Sequence, residues 1–244
     1  MVSMADEWYD ITDKNHFWML WRYHVVEKYL STIPRLKTLN ILEIGCGNGI
    51  NMQLFEHNMQ VVVDGCDVNE FALDKIPEVK GKKILYDIYD QYPAMINKYD
   101  VIILFDVLEH IKDDDGFLKI AVKHLKSSGI VLINVPAHKT LFSRYDKIMG
   151  HERRYSKKSL IKLLEKNKIK IDYVQYWGFF MVPILYLRKI LLIFVRKKMV
   201  KVGFQPPHRN FNVFFKLIMR FELWLFNKSP TGTSLFVVGK KVHA

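Results

Sequence analysis

The sequence predicts an α/β fold, an open, doubly wound and mostly parallel sheet of about seven strands, on three observations. Short β-branched runs recur along the chain, and the stretches between them are long enough to hold crossover helices. The first run empties into a glycine-rich turn, as a buried parallel strand does on entering a helix. Of the 244 residues, 50% are hydrophobic and 25% charged, which excludes a disordered chain, and one core suffices for this length.

Residues 8–30 place Phe17, Leu20, Trp21, His24, Val25 and Lys28 at helical spacing, with Asp13 or Asn15 able to cap the start. One long amphipathic helix is expected there, closed before Pro34. LNILEIGCGNG then reads as the first strand and its turn. VVVDGCDV, KKILYDI, YDVIILFDVL and GIVLINVPA supply four more strands, and IKIDYVQYWGF and SLFVVGKKV the sixth and seventh. There is no fixed-period repeat and no low-complexity tract, so a single domain over 1–244 is expected. Within it, 36–137 is expected to hold the first five strands and 138–160 the long loop after the fifth.

Between the sixth and seventh strands lies an insertion, 177–230, that is apolar and basic together. Its first apolar stretch is broken by Arg188 and Lys189 before the ~20 residues needed to cross a bilayer. Its second carries Phe211, Phe214, Phe215, Ile218, Phe221 and Leu225 on one broad helical face, flanked by Lys216, Arg220 and Lys228. The formal net charge is +12, and from Arg188 to Lys228 Glu222 is the only acid. Such a segment suits peripheral contact with a membrane surface, or else a dimer interface or lid with solvated lysines. Cys46 and Cys66 each end an apolar run, which gives no support to a disulfide framework. The amino-terminal residues lack the pattern of a secretory signal, so a reducing cytoplasm is the expected compartment, with membrane association through the insertion.

The glycines of Glu43-Ile44-Gly45-Cys46-Gly47-Asn48-Gly49 let a bulky nucleoside cofactor touch bare backbone. Asp67 follows at the end of the next strand, where a carboxylate can accept both ribose hydroxyl protons. Asp87, after the third strand, can accept from the exocyclic amine of adenine. ILEIGCGNG, the CDVNE run, LYDI and FDVLEHI, in this order and spacing, resemble the class I S-adenosylmethionine-dependent methyltransferases, whose sheet is Rossmann-like.

The resemblance implies S-adenosyl-L-methionine as cofactor, with S-adenosyl-L-homocysteine as product. It implies that Gly45, Cys46, Gly47 and Gly49 admit the methionine part, with Glu43 supporting the loop or the cofactor's amino group. Asp67 and Val68 would hold the ribose, Asp87 and Ile88 the adenine, and Phe105, Asp106 and Val107 the wall beneath the sulfonium. A nicotinamide dehydrogenase shares strand, turn and acid, but its G-x-G-x-x-G is not matched, since the third glycine comes one residue early at Gly49.

A hydroxyl acceptor must lose its proton, and His110, just past the fourth strand, stands where the methyl should point. It is either the base or a residue fixing its loop, and Glu109 beside it reads as a helix-start charge. After the fifth strand, Asp146, His151, Arg153, Arg154 and Tyr155 gather in a loop at a carboxyl strand end, where substrates bind. Arg153, Arg154 and Tyr155 can grip a phosphate or carboxylate, and His151 can serve as the base in place of His110. In the alternative, the arginines pair with Asp146 and Glu152, and Tyr155 and Ser156 start a helix.

This cluster, with His16, Phe17, Trp18 and Arg22 near the amino terminus, also resembles a bacterial subgroup of methyltransferase-11/23-like enzymes associated with glycan and lipid-linked sugar assembly. O-methylation of a sugar or lipid-linked glycan is therefore the expected activity; a quinone or other small hydrophobic acceptor and a non-catalytic binding module are the alternatives. No metal site is expected, because the histidines are scattered and Asp113-Asp114-Asp115 reads as a helix cap. Nucleic acid is not an expected partner, since FDVL stands where an exocyclic-amine methylase of bases would resemble N-P-P-Y or D-P-P-Y.

Overall fold

The computed structural model describes Tyr9, residues 13–194 and residues 209–242, the side chains of Ile193, Phe194 and Arg209 excepted. The basic residues Arg196, Lys197, Lys198 and Lys201 of the insertion therefore lie outside the described residues, as does most of the expected helix before residue 13. Seven strands, β1 (Ile41–Ile44), β2 (Asp64–Asp67), β3 (Lys83–Leu85), β4 (Tyr99–Phe105), β5 (Leu125–Pro136), β6 (Ile169–Trp177) and β7 (Ser234–Lys241), form one sheet in the order β3-β2-β1-β4-β5-β7-β6. β1 to β5 pair in parallel, while β7 enters antiparallel between β5 and β6. This is the mostly parallel, doubly wound sheet that the sequence predicts, and its strand order reverses direction at β1 and β4.

The buried strands alternate between two apolar layers because successive side chains point to opposite faces. On β4, Ile102 and Leu104 face one layer, and Val101, Ile103 and Phe105 the other. The first layer is covered by α4 (Asp114–Ala121) and α6 (Lys157–Lys166) through Phe117, Leu118, Leu160 and Leu164. The second is covered by α1 (Phe17–Leu30) and α2 (Ile50–Met59) through Trp21, Val25, Met52 and Phe55. The short α3 (Glu70–Asp74) follows β2, and α5 (Arg144–Ile148) lies in the loop after β5. Asp113 caps α4 by accepting the Gly116 N–H at 2.9 Å, as its sequence position suggested.

α1 starts later than expected. Asp13 turns back on the Asn15 N–H (3.0 Å), and His16 becomes the cap by accepting from the Trp18 N–H at 3.2 Å. β2 and β3 are shorter than their apolar runs, yet Val61 and Val63, which precede β2, are fully in the second layer.

The insertion contributes α7 (Met181–Phe194) and α8 (Arg209–Leu225). α8 lies against α1: Phe17 stacks on Phe215 at 4.7 Å, and the Phe17 N–H donates to Asn212 Oδ1 at 2.8 Å. Glu222 on α8 is buried and holds the entry to α7, accepting from the Gly178 N–H (2.9 Å), the Phe180 N–H (3.3 Å) and Ser229 Oγ (3.0 Å). A carboxylate before a helix start satisfies donors that the helix cannot. Glu222→Ala strands these buried donors and is expected to lower stability by about 2 kcal/mol in urea unfolding.

Candidate active site

β1 runs directly into Gly45-Cys46-Gly47-Asn48-Gly49, and the chain turns at once because the N–H groups of Gly45 and Cys46 both donate to the Cys66 carbonyl (2.8 and 3.1 Å). Gly45 (φ 76°) and Gly47 (φ 52°) adopt the left-handed backbone that disfavours side chains. A Cβ on Gly45 would stand 2.7 Å from Val107 Cγ2, and one on Gly47 2.9 Å from the Tyr9 ring. The loop therefore presents bare backbone.

Asp67, at the end of β2, accepts the Gly47 N–H (2.8 Å) and the Asn69 N–H (2.9 Å) and so shapes the loop itself. Asp87 lies beside it, since the Tyr86 N–H donates to the Asp67 carbonyl at 3.0 Å; its carboxylate accepts the Tyr89 N–H at 3.0 Å.

Arg22 reaches from α1 across the loop. Its guanidinium donates to Asp106 and, at 2.9 Å, to Asn51 Oδ1 on α2, and the Asn51 amide donates to Glu43. The other Asp106 oxygen accepts from Asn134 Nδ2 (2.7 Å), whose Oδ1 accepts from Trp177 Nε1 (2.8 Å). Asp106 is held at φ 56°, a conformation uncommon for a residue with a side chain, by partners from α1 and β5. Glu43 is buried and its Oε2 has no protein partner. Burial pushes its carboxyl up to about 7, against the Asn51 hydrogen bond and the Arg22 charge.

A cavity of about 450 Å³ runs from this loop to a corner formed by Glu109, His110 and His151. Of the sequence-predicted residues, Glu43, Gly45, Cys46, Gly47, Phe105 and Asp106 line its first part, and His110, His151 and Arg154 its second. Asp67, Val68 and Asp87 stand outside it at the neighbouring strand ends, Gly49 caps α2, and Ile88 and Val107 belong to the core beneath. Met149, Met181, Ile184 and Leu185 give the second part apolar walls, and the Arg188 guanidinium carbon stands 3.9 Å from the centre of the Tyr145 ring.

His110 and His151, alternatives for one role in the sequence, meet with ring centroids 4.7 Å apart. Burial and the neighbouring His151 lower His110 to about 4, which keeps it neutral. His151 is oriented by Asp146 (Nδ1 to Oδ1, 3.3 Å). Burial pushes Asp146 upward, but His151, Arg154 and Ser143 together hold it below the usual carboxylate range.

Three expectations are corrected here. Tyr155 is buried and donates to the Leu108 carbonyl (3.1 Å) and Asp114 (2.7 Å), so it faces the core and not a substrate. Arg153 turns away from the cavity to Asp114 (2.9 Å) and the Lys112 carbonyl (2.7 Å). Glu109 is no surface charge at a helix start: it is 1% exposed, and its Oε2 has no protein partner. Burial, then the nearby Asp106 charge, raises its carboxyl well above the usual range. Arg154 does line the cavity, yet its guanidinium is bound to Asp146 (2.7 Å) and to the Ala137 carbonyl (3.3 Å).

Sequence reasoning missed Glu109, Asn51, Tyr145 and Arg188 as cavity residues. For Glu109 the only signal was weak, an acid in the turn just past the apolar run Val101–Phe105.

Residues 20–172, more than half of the chain, match the methyltransferase domain family, and the chain belongs to that family. It is 29% identical over 164 residues to the ubiquinone biosynthesis O-methyltransferase of Pelagibacter ubique, covering 62% of this chain and 68% of that one. It is 31% identical over 114 residues to the enzyme of the same name from Rickettsia canadensis, covering 46% and 48%. This chain thus spans about half the length of the Rickettsia relative.

Among solved structures, the Haloferax volcanii complex of the Trm112 methyltransferase activator with a methyltransferase aligns over 100% of both chains, with TM-score 0.65 and 13% identity. Phosphoethanolamine N-methyltransferase 2 of Haemonchus contortus, solved with S-adenosyl-L-methionine, aligns over 91% of this chain and 53% of that one, with TM-score 0.58 and 18% identity. These structures share the fold. Family and fold together make the protein an S-adenosylmethionine-dependent methyltransferase.

The pairing of Arg154 separates a structural from a substrate-binding arginine. Arg154→Met leaves the Asp146 charge buried without its guanidinium and is expected to cost about 3 kcal/mol or more in urea unfolding. An arginine reserved for substrate would leave stability unchanged.

Proposed function

We propose that the protein methylates a hydroxyl group of a small hydrophobic acceptor of the quinone or phenol class. The observation that carries this reading is the second half of the cavity, walled by Met149, Met181, Ile184 and Leu185 and ending on the polar corner of Glu109, His110 and His151. The sugar reading rested on the His151–Tyr155 cluster and the apolar, basic insertion, and within that cluster Arg153, Arg154 and Tyr155 are engaged with protein partners. The relatives named as ubiquinone biosynthesis O-methyltransferases add support, at low identity.

The first half of the cavity fits the methionine end of the cofactor by two features, bare backbone at Gly45 and Gly47 and a buried Glu43 oxygen without a protein partner, and the strand ends that carry Asp67 and Asp87 lie beside it for the nucleoside. In our reading Glu43 takes the ammonium of the methionine part, Gly45 to Gly47 its chain, Asp67 with Val68 the ribose, Asp87 with Ile88 the adenine, and Phe105 and Asp106 the wall beneath the sulfur. When bound, the cofactor supplies a methyl group already activated on a sulfonium. The protein then has to align the acceptor and hold out water. Met149, Met181 and Leu185 enclose the acceptor's apolar body, Arg188, whose buried Nε has no protein partner, offers a donor to one of its oxygens, and the hydroxyl gives up its proton at the His110–His151 corner.

Methyl-labelled cofactor should deliver label to a phenol or quinol hydroxyl in a screen that also contains glycans. Transfer to glycans alone would overturn the proposal. The Glu43 assignment has its own signature. A carboxyl with a pKa of about 7 in the free protein must release its proton to receive an ammonium, so binding is favoured by higher pH. Calorimetric affinity for S-adenosyl-L-homocysteine should rise up to about tenfold per pH unit below 7 and level off above it. Glu43→Gln should bind more weakly with a flat profile.

The insertion supports a further proposal, reversible attachment to an anionic bilayer from which such an acceptor would be drawn. α7 exposes Leu187, Ile190 and Leu191; α8 exposes Phe211, Phe214, Leu217, Phe221 and Trp224, the last at 78%. Lys216 and Arg220 stand on α8 beside them, and Glu222 is buried and cannot neutralise them at the surface; Lys189 donates to the Thr140 carbonyl and Lys228 lies over the Tyr173 ring. No described helix is long and apolar enough to cross a membrane. Each basic residue close to an anionic leaflet contributes about 1 kcal/mol, weakened by salt. Co-sedimentation with phosphatidylserine vesicles should be strong at low salt and reduced at high salt; no binding at either would contradict the attachment.

A further inference from the structure

Glu109 and His110 lie in the turn after β4, and His151 lies in the loop after α5; the fold brings them together although forty residues lie between the two histidines. One carboxylate oxygen of Glu109 and one ring nitrogen of each histidine lie within 4.8 Å of one another, a spacing from which three ligands converge on one ion. The histidine rings meet at 88°, so they are not stacked face to face.

Among the described residues, no cation is hydrogen-bonded to Glu109 Oε2. The guanidinium of Arg22 is bound to Asp106 and Asn51, and that of Arg154 to Asp146 and the Ala137 carbonyl. The Oε2 of Glu109 is left buried with no protein donor, which is costly for a carboxylate unless a cation or proton reaches it.

The surroundings resemble the support that metal-binding histidines receive. His151 directs Nδ1 at Asp146, leaving Nε2 as its free nitrogen, and Asp146 is itself fixed by the Ser143 N–H (2.8 Å), Ser143 Oγ (2.9 Å) and Arg154. A carboxylate behind a histidine sets its tautomer and orientation for a metal on the other nitrogen. The cluster also opens on the cavity, so an ion there would keep coordination positions for an acceptor.

We propose that Glu109, His110 and His151 form a divalent-cation site that binds the acceptor through its reacting hydroxyl and an adjacent oxygen. Two imidazoles and a carboxylate suit Mn²⁺, Fe²⁺ or Zn²⁺ better than Mg²⁺, which favours an oxygen environment. A hydroxyl bound to such a cation is acidified, so its proton can leave to water and neither histidine has to carry it. The site would select acceptors with two neighbouring oxygens over lone phenols. This inference rests on the reading of the corner as the acceptor end of the cavity, but cation binding itself is measurable without any acceptor.

The test uses the full chain after chelator treatment, titrated with Mn²⁺ followed by electron paramagnetic resonance and with Zn²⁺ by calorimetry, with S-adenosyl-L-homocysteine affinity measured on the same samples. One saturable site is expected, weakened at least about tenfold in Glu109→Gln and in His151→Asn. His110→Asn stands in if Glu109→Gln fails to fold, as judged by circular dichroism and thermal melting. No saturable binding of either ion, or binding unchanged in the folded variants, overturns the site. If homocysteine-nucleoside affinity persists in that event, the cation proposal fails while the methyltransferase assignment stands.

Discussion

The Arg22 guanidinium is the interaction on which the rest of the site depends. It belongs to the amino-terminal helix, yet it bonds to Asp106 after β4 and to Asn51 on α2, and through them it is coupled to Glu43, Asn134 and Trp177. Five segments that are distant in sequence thus meet at one buried polar chain along the carboxyl edge of the sheet. A buried polar network of this kind is costly if any member is missing, and it tolerates one arrangement of its groups. It places a helix over the glycine loop, keeps Asp106 in its left-handed conformation, and leaves one oxygen of Glu43 unmatched inside the cavity.

That arrangement explains what could and could not be read from the sequence. The strands were legible because β-branched runs and the alternation along β4 follow from burial on both faces of a parallel sheet. The glycine loop was legible because left-handed backbone at Gly45 and Gly47 demands the residue type that occupies it. The roles of Arg153 and Tyr155 were not, since a cationic or phenolic side chain in a loop reads alike whether it meets a substrate or Asp114. The late start of α1 depended on which of Asp13, Asn15 and His16 won a local competition for backbone donors. Glu109 was misread because its burial arises from the return of the His151 loop over β4, a contact between segments with no sequence relation.

The insertion before β7 serves the cavity from outside. α7 turns Met181, Leu185 and Arg188 inward as wall and Leu187, Ile190 and Leu191 outward to solvent. α8 braces it by the buried Glu222 and packs through Phe215 on α1, the helix that carries Arg22. Any surface or ligand that shifts these two helices therefore acts on the cavity wall and on its roof together. One helix thus carries both an apolar outer face and an apolar stretch of cavity wall, the arrangement on which the proposal of a hydrophobic acceptor rests.

The central claim is that one cavity holds the cofactor with its reacting sulfur directed from the Glu43 loop toward the Glu109–His110–His151 corner. A crystal structure of the full chain with S-adenosyl-L-homocysteine tests it directly. The account places the amino group against Glu43 and the sulfur beside Phe105 and Asp106, facing the two histidines. Electron density with the sulfur turned away from that corner, or with the nucleoside bound elsewhere on the sheet edge, would contradict it.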